Sequence, residues 1–169
     1  TAINETITIP TQNIGTFNAL VDWGDSSPLE TITTYNGFSH VYDDIGDHTI
    51  SITGTFPNII TYYGTPASAK LKKVLNLGIV GWTKLNGAFA NCPNLTEFTV
   101  GSTDTSSVTS IDAMFTNSVL TSLDLTALDT SAVQNMNGAF SNCASLTSMV
   151  GVEDFDITGL NSTSSLNNF

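Results

Sequence analysis

Asp129-Thr130-Ser131-Ala132-Val133-Gln134-Asn135-Met136-Asn137-Gly138-Ala139-Phe140-Ser141-Asn142-Cys143-Ala144-Ser145-Leu146 is the stretch on which the fold turns. Its phenylalanine recurs upstream as Phe115 and Phe89, at steps of 25 and 26 residues. The neighbouring apolar positions keep the same register: Leu85, Ile111, Met136, then Leu95, Leu120, Leu146, then Phe98, Leu123, Met149. An asparagine follows each phenylalanine by two places, as Asn91, Asn117 and Asn142. Units of this length cannot bury their apolar faces alone, so neighbouring copies must supply the rest of the core. Each unit has two parts. Leu120-Thr121-Ser122-Leu123-Asp124-Leu125 has the alternation of a short strand, with Leu120, Leu123 and Leu125 facing in. Residues 129–140 open on Asp, Thr and Ser and then place Val133, Met136 and Phe140 at i, i+3 and i+7, the stripe of a short helix. Asn142 stands where such a helix must stop, since asparagine tolerates the left-handed conformation. A strand and a short helix in each unit predict an α/β leucine-rich-repeat solenoid of about four coils over residues 66–169.

The phrase from Leu123 to Leu146 resembles the BspA-like leucine-rich repeats of bacterial surface proteins, which also occur in mycoplasma lipoproteins. The likeness covers roughly residues 70–169. The middle copy departs from it, with Ser118 in place of the cysteine and one residue fewer. The resemblance implies an extracellular, cell-surface location and a role in attachment and protein binding. Cys92 and Cys143 occupy the same repeat position two copies apart. Stacked strands lie about 4.8 Å apart, so the pair falls beyond disulfide reach and is expected to stay as thiols.

Residues 1–65 read differently. Glu5-Thr6-Ile7-Thr8-Ile9, residues 17–23 and His48-Thr49-Ile50-Ser51-Ile52 alternate apolar and polar side chains, with turn residues between them, which predicts a small all-β sandwich. Val21-Asp22-Trp23-Gly24-Asp25, Phe38-Ser39-His40-Val41-Tyr42 and Gly46-Asp47-His48-Thr49-Ile50 are similar to the PKD-like domain, although Ser26 and His48 depart from that pattern. In the domain it resembles these residues are structural, with Gly24 and Asp25 making a turn and His40 hydrogen-bonded. Asp22, Asp25, Asp43, Asp44 and Asp47 form an acidic cluster for which Ca²⁺ is the candidate ion, because hard cations take oxygen-rich loops. No EF-hand spacing accompanies it, and the alternative is a solvated acidic face. Gly64-Thr65-Pro66-Ala67-Ser68 then reads as the linker into the second module. Trp82 is expected to pack near the junction, where the first repeat is capped.

Composition narrows the function. The 169 residues carry four lysines, no arginine and 15 acids, for a net charge of −11. Such a field repels polyanions, and the chain lacks the guanidinium fork that reads phosphate and guanine, so nucleic acid is excluded as a partner. No apolar run reaches the length of a membrane span. Without an initiator methionine the chain reads as a segment of a longer protein. The repeats hold neither histidine nor a nucleophile motif, so no enzyme is expected. The strand period instead predicts an outward ladder on the concave face, Lys73, Glu97, Ser122 and Ser148 beside Leu75, Thr99, Asp124 and Val150. Apolar, hydroxyl and carboxylate groups in one row suit a protein or peptide presented by a host, a matrix or a neighbouring cell. A glycan is disfavoured on this face, because no aromatic side chain falls on it. The competing reading is a passive spacer within a large surface protein.

Overall fold

The computed structural model describes residues 2–161. Five short strands build the first part: β1 (Glu5–Thr8), β2 (Asn18–Asp22), β3 (Glu30–Ile32), β4 (Ser39–Tyr42) and β5 (Ser51–Thr55). β1 pairs antiparallel with β4, and β2 lies between β3 and β5 in a three-stranded antiparallel sheet. On β2, Ala19 and Val21 are buried while Asn18, Leu20 and Asp22 are exposed, the alternation that a half-covered sheet imposes. Gly54 on β5 has a positive φ of 84°, and a Cβ there would sit 2.5 Å from the Asn18 carbonyl, so only glycine allows β5 to close on β2. Phe17, Phe38 and Phe56 meet edge to face in the core, with centroids 5.0–6.0 Å apart.

Among the described residues the second part contains four very short strands: β6 (Lys73–Val74), β7 (Glu97–Phe98), β8 (Ser122–Asp124) and β9 (Ser148–Val150). β6 pairs with β7 and β8 with β9, both in parallel. The expected fold class, a β-sandwich followed by an α/β leucine-rich-repeat solenoid, is corrected here. Among the described residues there is no α-helix and the sheets have only two or three strands; one 3₁₀ turn, Val152–Asp154, is the sole helical element. The chain is built of strands and loops.

The reason lies in the backbone of the segments that read as helices. Gly87, Ala113 and Gly138, each two residues before the repeated phenylalanine, have φ of 58°, 52° and 64°. Asn91, Asn117 and Asn142, two residues after it, have φ of 54°, 58° and 59°. A right-handed helix cannot pass through two left-handed residues in five. The segment instead forms successive turns in which alternate amides serve two directions. Met114, Thr116 and Ser118 donate to the carbonyls of Ile111, Ala113 and Phe115, three residues back. Ile111, Ala113, Phe115 and Asn117 donate to Asn135, Asn137, Ala139 and Ser141 of the next copy, at 2.8–3.0 Å. Leu85, Gly87, Phe89 and Asn91 do the same toward Ser110, Asp112, Met114 and Thr116. Turns of three residues place Val133, Met136 and Phe140 on one side as a helix would, which is why the two are alike in hydrophobic spacing.

The copies therefore lie side by side through backbone ladders. Phe89, Phe115 and Phe140 form one column, with rings 5.9 and 5.8 Å apart and tilted by 28° and 12°. Parallel pairing begins upstream of the first copy: Asn58 bridges Lys84, and Thr61 donates to the carbonyl of Gly87. Trp82 stands edge-on to Phe56 at 5.5 Å and donates Nε1–H to the Leu77 carbonyl, joining the two aromatic groups into one continuous core.

Candidate binding faces

The outward row is present as exposed side chains, along two pairs of strands. Lys73, Leu75, Glu97, Thr99, Ser122, Asp124, Ser148 and Val150 are all exposed, while Phe98, Leu123 and Leu125 between them are buried. Lys73 lies opposite Glu97 and pairs with it, Nζ to Oε2 at 2.7 Å. That contact holds the Lys73 amine above its usual range, chiefly through the hydrogen bond to Glu97. Ser122 faces Ser148, and Asp124 faces Val150. Asp124 is occupied by its own turn: Oδ1 accepts from the Thr126 amide at 3.1 Å and from the Thr126 hydroxyl at 2.7 Å, which lowers its pKa. No ladder joins β7 to β8, so the row falls into two paired halves. The break lies at the copy whose turn after Phe115 is one residue shorter.

The five acids of the proposed calcium cluster do not converge. Asp22 accepts from the Gly24 amide, Asp25 binds His40, Asp44 faces His48 and Asp47 binds Lys72 at 2.5 Å. Asp43 is exposed. Among the described residues no group of three His, Cys, Asp or Glu side chains is placed to hold a metal ion. Calcium coordination therefore finds no donor set here; each occupied carboxylate serves a turn or a cation instead.

What these residues build is an aromatic and polar cluster. Trp23 and His40 stack at 5.0 Å, His40 meets Tyr42 edge-on at 4.8 Å, and Tyr42 stacks on His48 at 4.1 Å. Nε2 of His40 lies 2.7 Å from Asp25 Oδ2. Tyr42 donates its hydroxyl to the Trp23 carbonyl at 2.8 Å, and Trp23 Nε1–H goes to Glu30. Burial, reinforced by the negative charges of Asp25 and Asp44, pushes the Tyr42 phenol up to about 12, so it stays a donor. The Ser27 hydroxyl, the His40 ring and the Ser27 amide together hold the Asp25 carboxyl far below the ordinary carboxylate range. Every member has a partner inside the cluster, the pattern of a structural brace.

Cys92 and Cys143 are both thiols. Cys92 is buried beside Thr61, and Cys143 points its Sγ at the Phe115 carbonyl, 3.1 Å away. Burial pushes both thiols up, away from the reactive thiolate.

A third face was not anticipated. Tyr62 and Tyr63 stand 44% and 78% exposed, their rings 5.5 Å apart at 86°. They line an open groove of about 200 Å³ together with Gln12, Ile60, Asn86, Gly87, Asp112 and Ala113. The adjacent tyrosines ahead of Gly64-Thr65-Pro66 were the available signal; reading that stretch as a linker hid them.

The repeats fall within the match to a known family. The family described as Mycoplasma protein of unknown function, DUF285, matches residues 83–167, half of the chain. The chain belongs to the DUF285 family. Within the described residues, the DUF285 match takes in the two complete ladders that start at Leu85 and Ile111, and it begins one residue before the Asn58–Lys84 bridge. No curated protein and no solved structure matches the chain. No helix among the described residues is long and apolar enough to cross a membrane.

Proposed function

We propose that this DUF285 chain is a recognition region of a cell-surface protein that binds an extended polypeptide non-covalently through the outward side of β6 to β9. The observation that carries this reading is the exposure of all eight row residues while the alternate positions are buried or half-buried in the core. Leu75 and Val150 remain 52% and 43% exposed, apolar contacts set beside the Lys73–Glu97 pair and the Ser122 and Ser148 hydroxyls. A peptide lying across such a strip would meet apolar and polar groups in turn. The likeness of the repeats to those of bacterial surface proteins supports the cell-surface location. One observation favours the spacer reading instead: Glu97 is already paired with Lys73, and Asp124 already accepts hydrogen bonds from Thr126.

Selection of displayed random peptides on the whole chain tests the proposal. Peptides enriched on the native chain and lost on a Lys73→Ala, Glu97→Ala double variant are expected. If enrichment is absent, or indifferent to that variant, the region is a spacer. Asp124 is a poor probe because its carboxylate holds its own turn.

A further inference from the structure

We propose that the groove bordered by Tyr62 and Tyr63 binds a neutral saccharide, independently of the strand row. The two rings stand nearly perpendicular, 86° apart with centroids at 5.5 Å. One can lie beneath the C–H face of a pyranose while the other closes its edge. Tyr63 is 78% exposed beside the groove, and an aromatic body with a polar tip is well matched to a ring that is apolar on its faces and hydroxylated at its rim. The rest of the lining provides the rim's partners. Asn86 and Asp112 occupy the same position in successive copies, joined through the Gly87 amide, which donates to the Asp112 carbonyl at 2.7 Å. Their side chains and that of Gln12 make no hydrogen bond to a described residue, so two amides and one carboxylate are left to face the groove. A few convergent polar groups beside aromatic side chains in a concave space are the general form of a small-ligand site; at about 200 Å³ the groove takes one sugar ring rather than a chain.

Charge selects among saccharides. The groove is bordered by a carboxylate and by no lysine, and the whole chain carries −11, so uronic and sialic acids are repelled while neutral hydroxyl donors are not. The backbone adds a further sign. Gly87 and Gly138 take the left-handed conformation without cost, but the equivalent residue in the middle copy is Ala113, at φ 52°. A methyl group is kept in the groove lining against a local strain of about 1 kcal/mol.

Saturation-transfer NMR on the whole chain, with maltohexaose, chitotetraose, mannotriose and lactose as probes, tests the proposal. At least one is expected to receive magnetisation on ring C–H protons, and Tyr63→Ala is expected to weaken that binding by about tenfold. Asp112→Asn, an isosteric change, should weaken it as well, while the Lys73→Ala, Glu97→Ala variant should leave it intact. A hyaluronan tetrasaccharide is expected to show no transfer. Absence of transfer to every neutral probe, transfer that survives both Tyr63→Ala and Asp112→Asn, or tyrosine-dependent binding confined to peptides would overturn the assignment. Because the strand-row variant is scored separately, loss of peptide binding there and loss of saccharide binding here are distinct results.

Discussion

The two parts of the molecule hold equally short strands by different means. In the first, β1 to β5 are tied by side chains: Trp23, His40, Tyr42 and His48 stack in series, and Asp25 and Glu30 take their polar hydrogens. In the second, the backbone carries the register, one amide in two crossing to the neighbouring copy, and side chains such as Thr83, Thr109, Thr116 and Asn117 add hydrogen bonds from copy to copy. The first arrangement depends on particular residues at single positions. The second depends on a repeated conformation, with glycine, alanine or asparagine at the left-handed positions and a phenylalanine column beneath them. Substitutions should therefore be local and specific in the first part and periodic in the second.

The largest effect is expected in the column. Phe115 is fully buried and touches the rings of Phe89, Phe98 and Phe140. Phe115→Ala should cost about 3–5 kcal/mol in urea unfolding. A cost below about 1 kcal/mol, the level of an ordinary surface change, would mean that the column is not the core of the repeats.

A smaller loss is expected in the brace. Tyr42→Phe removes the bond to the Trp23 carbonyl while keeping the ring, and should cost about 1–2 kcal/mol because a buried acceptor loses its partner. An unchanged midpoint would show that the aromatic stacking alone holds this part.

The sign reverses at Ala113. Ala113→Gly relieves a left-handed alanine and should stabilise the chain by about 1 kcal/mol. The same substitution at Ala139, which is buried and is not among the left-handed residues, should destabilise it. Equal effects at the two sites would refute the periodic backbone.

The gentlest test is acid. The Asp25 carboxyl is held far below its ordinary range by the Ser27 hydroxyl, the His40 ring and the Ser27 amide, so the unfolded chain binds its proton more tightly than the folded one. The stability it contributes is complete above the ordinary carboxylate pKa of about 4 and drains away as the pH falls below it. Asp25→Asn should flatten that part of the stability profile between neutral and acidic pH; a profile unchanged by the substitution would remove Asp25 from the brace.

These contrasts also explain what the sequence could disclose. The repeat register was legible from Phe89, Phe115 and Phe140, because burial demands apolar residues at fixed intervals whatever the backbone does between them. The outward positions of the strand row followed from the alternation around Leu123 and Leu125. The conformation between strands was not legible, since i, i+3 spacing fits both a helix and a run of three-residue turns. Asn142 was read as a helix end, which is one use of the left-handed conformation; Gly138, four residues earlier, carried the contrary signal. The acids around Asp22 and Asp47 misled because composition gives their number and not their partners: Lys72, which pairs with Asp47, lies 25 residues further along the chain. The tyrosine groove combines Gln12, Tyr63 and Asp112, and no local pattern joins residues so far apart.

Hydrogen-bond scalar couplings measured across amide and carbonyl groups test the arrangement of the repeats most directly. The account predicts couplings from the Phe89 nitrogen to the Met114 carbonyl carbon and from the Phe115 nitrogen to the Ala139 carbonyl carbon. Couplings from Phe115 to Ile111, the pattern of a helix, would contradict it.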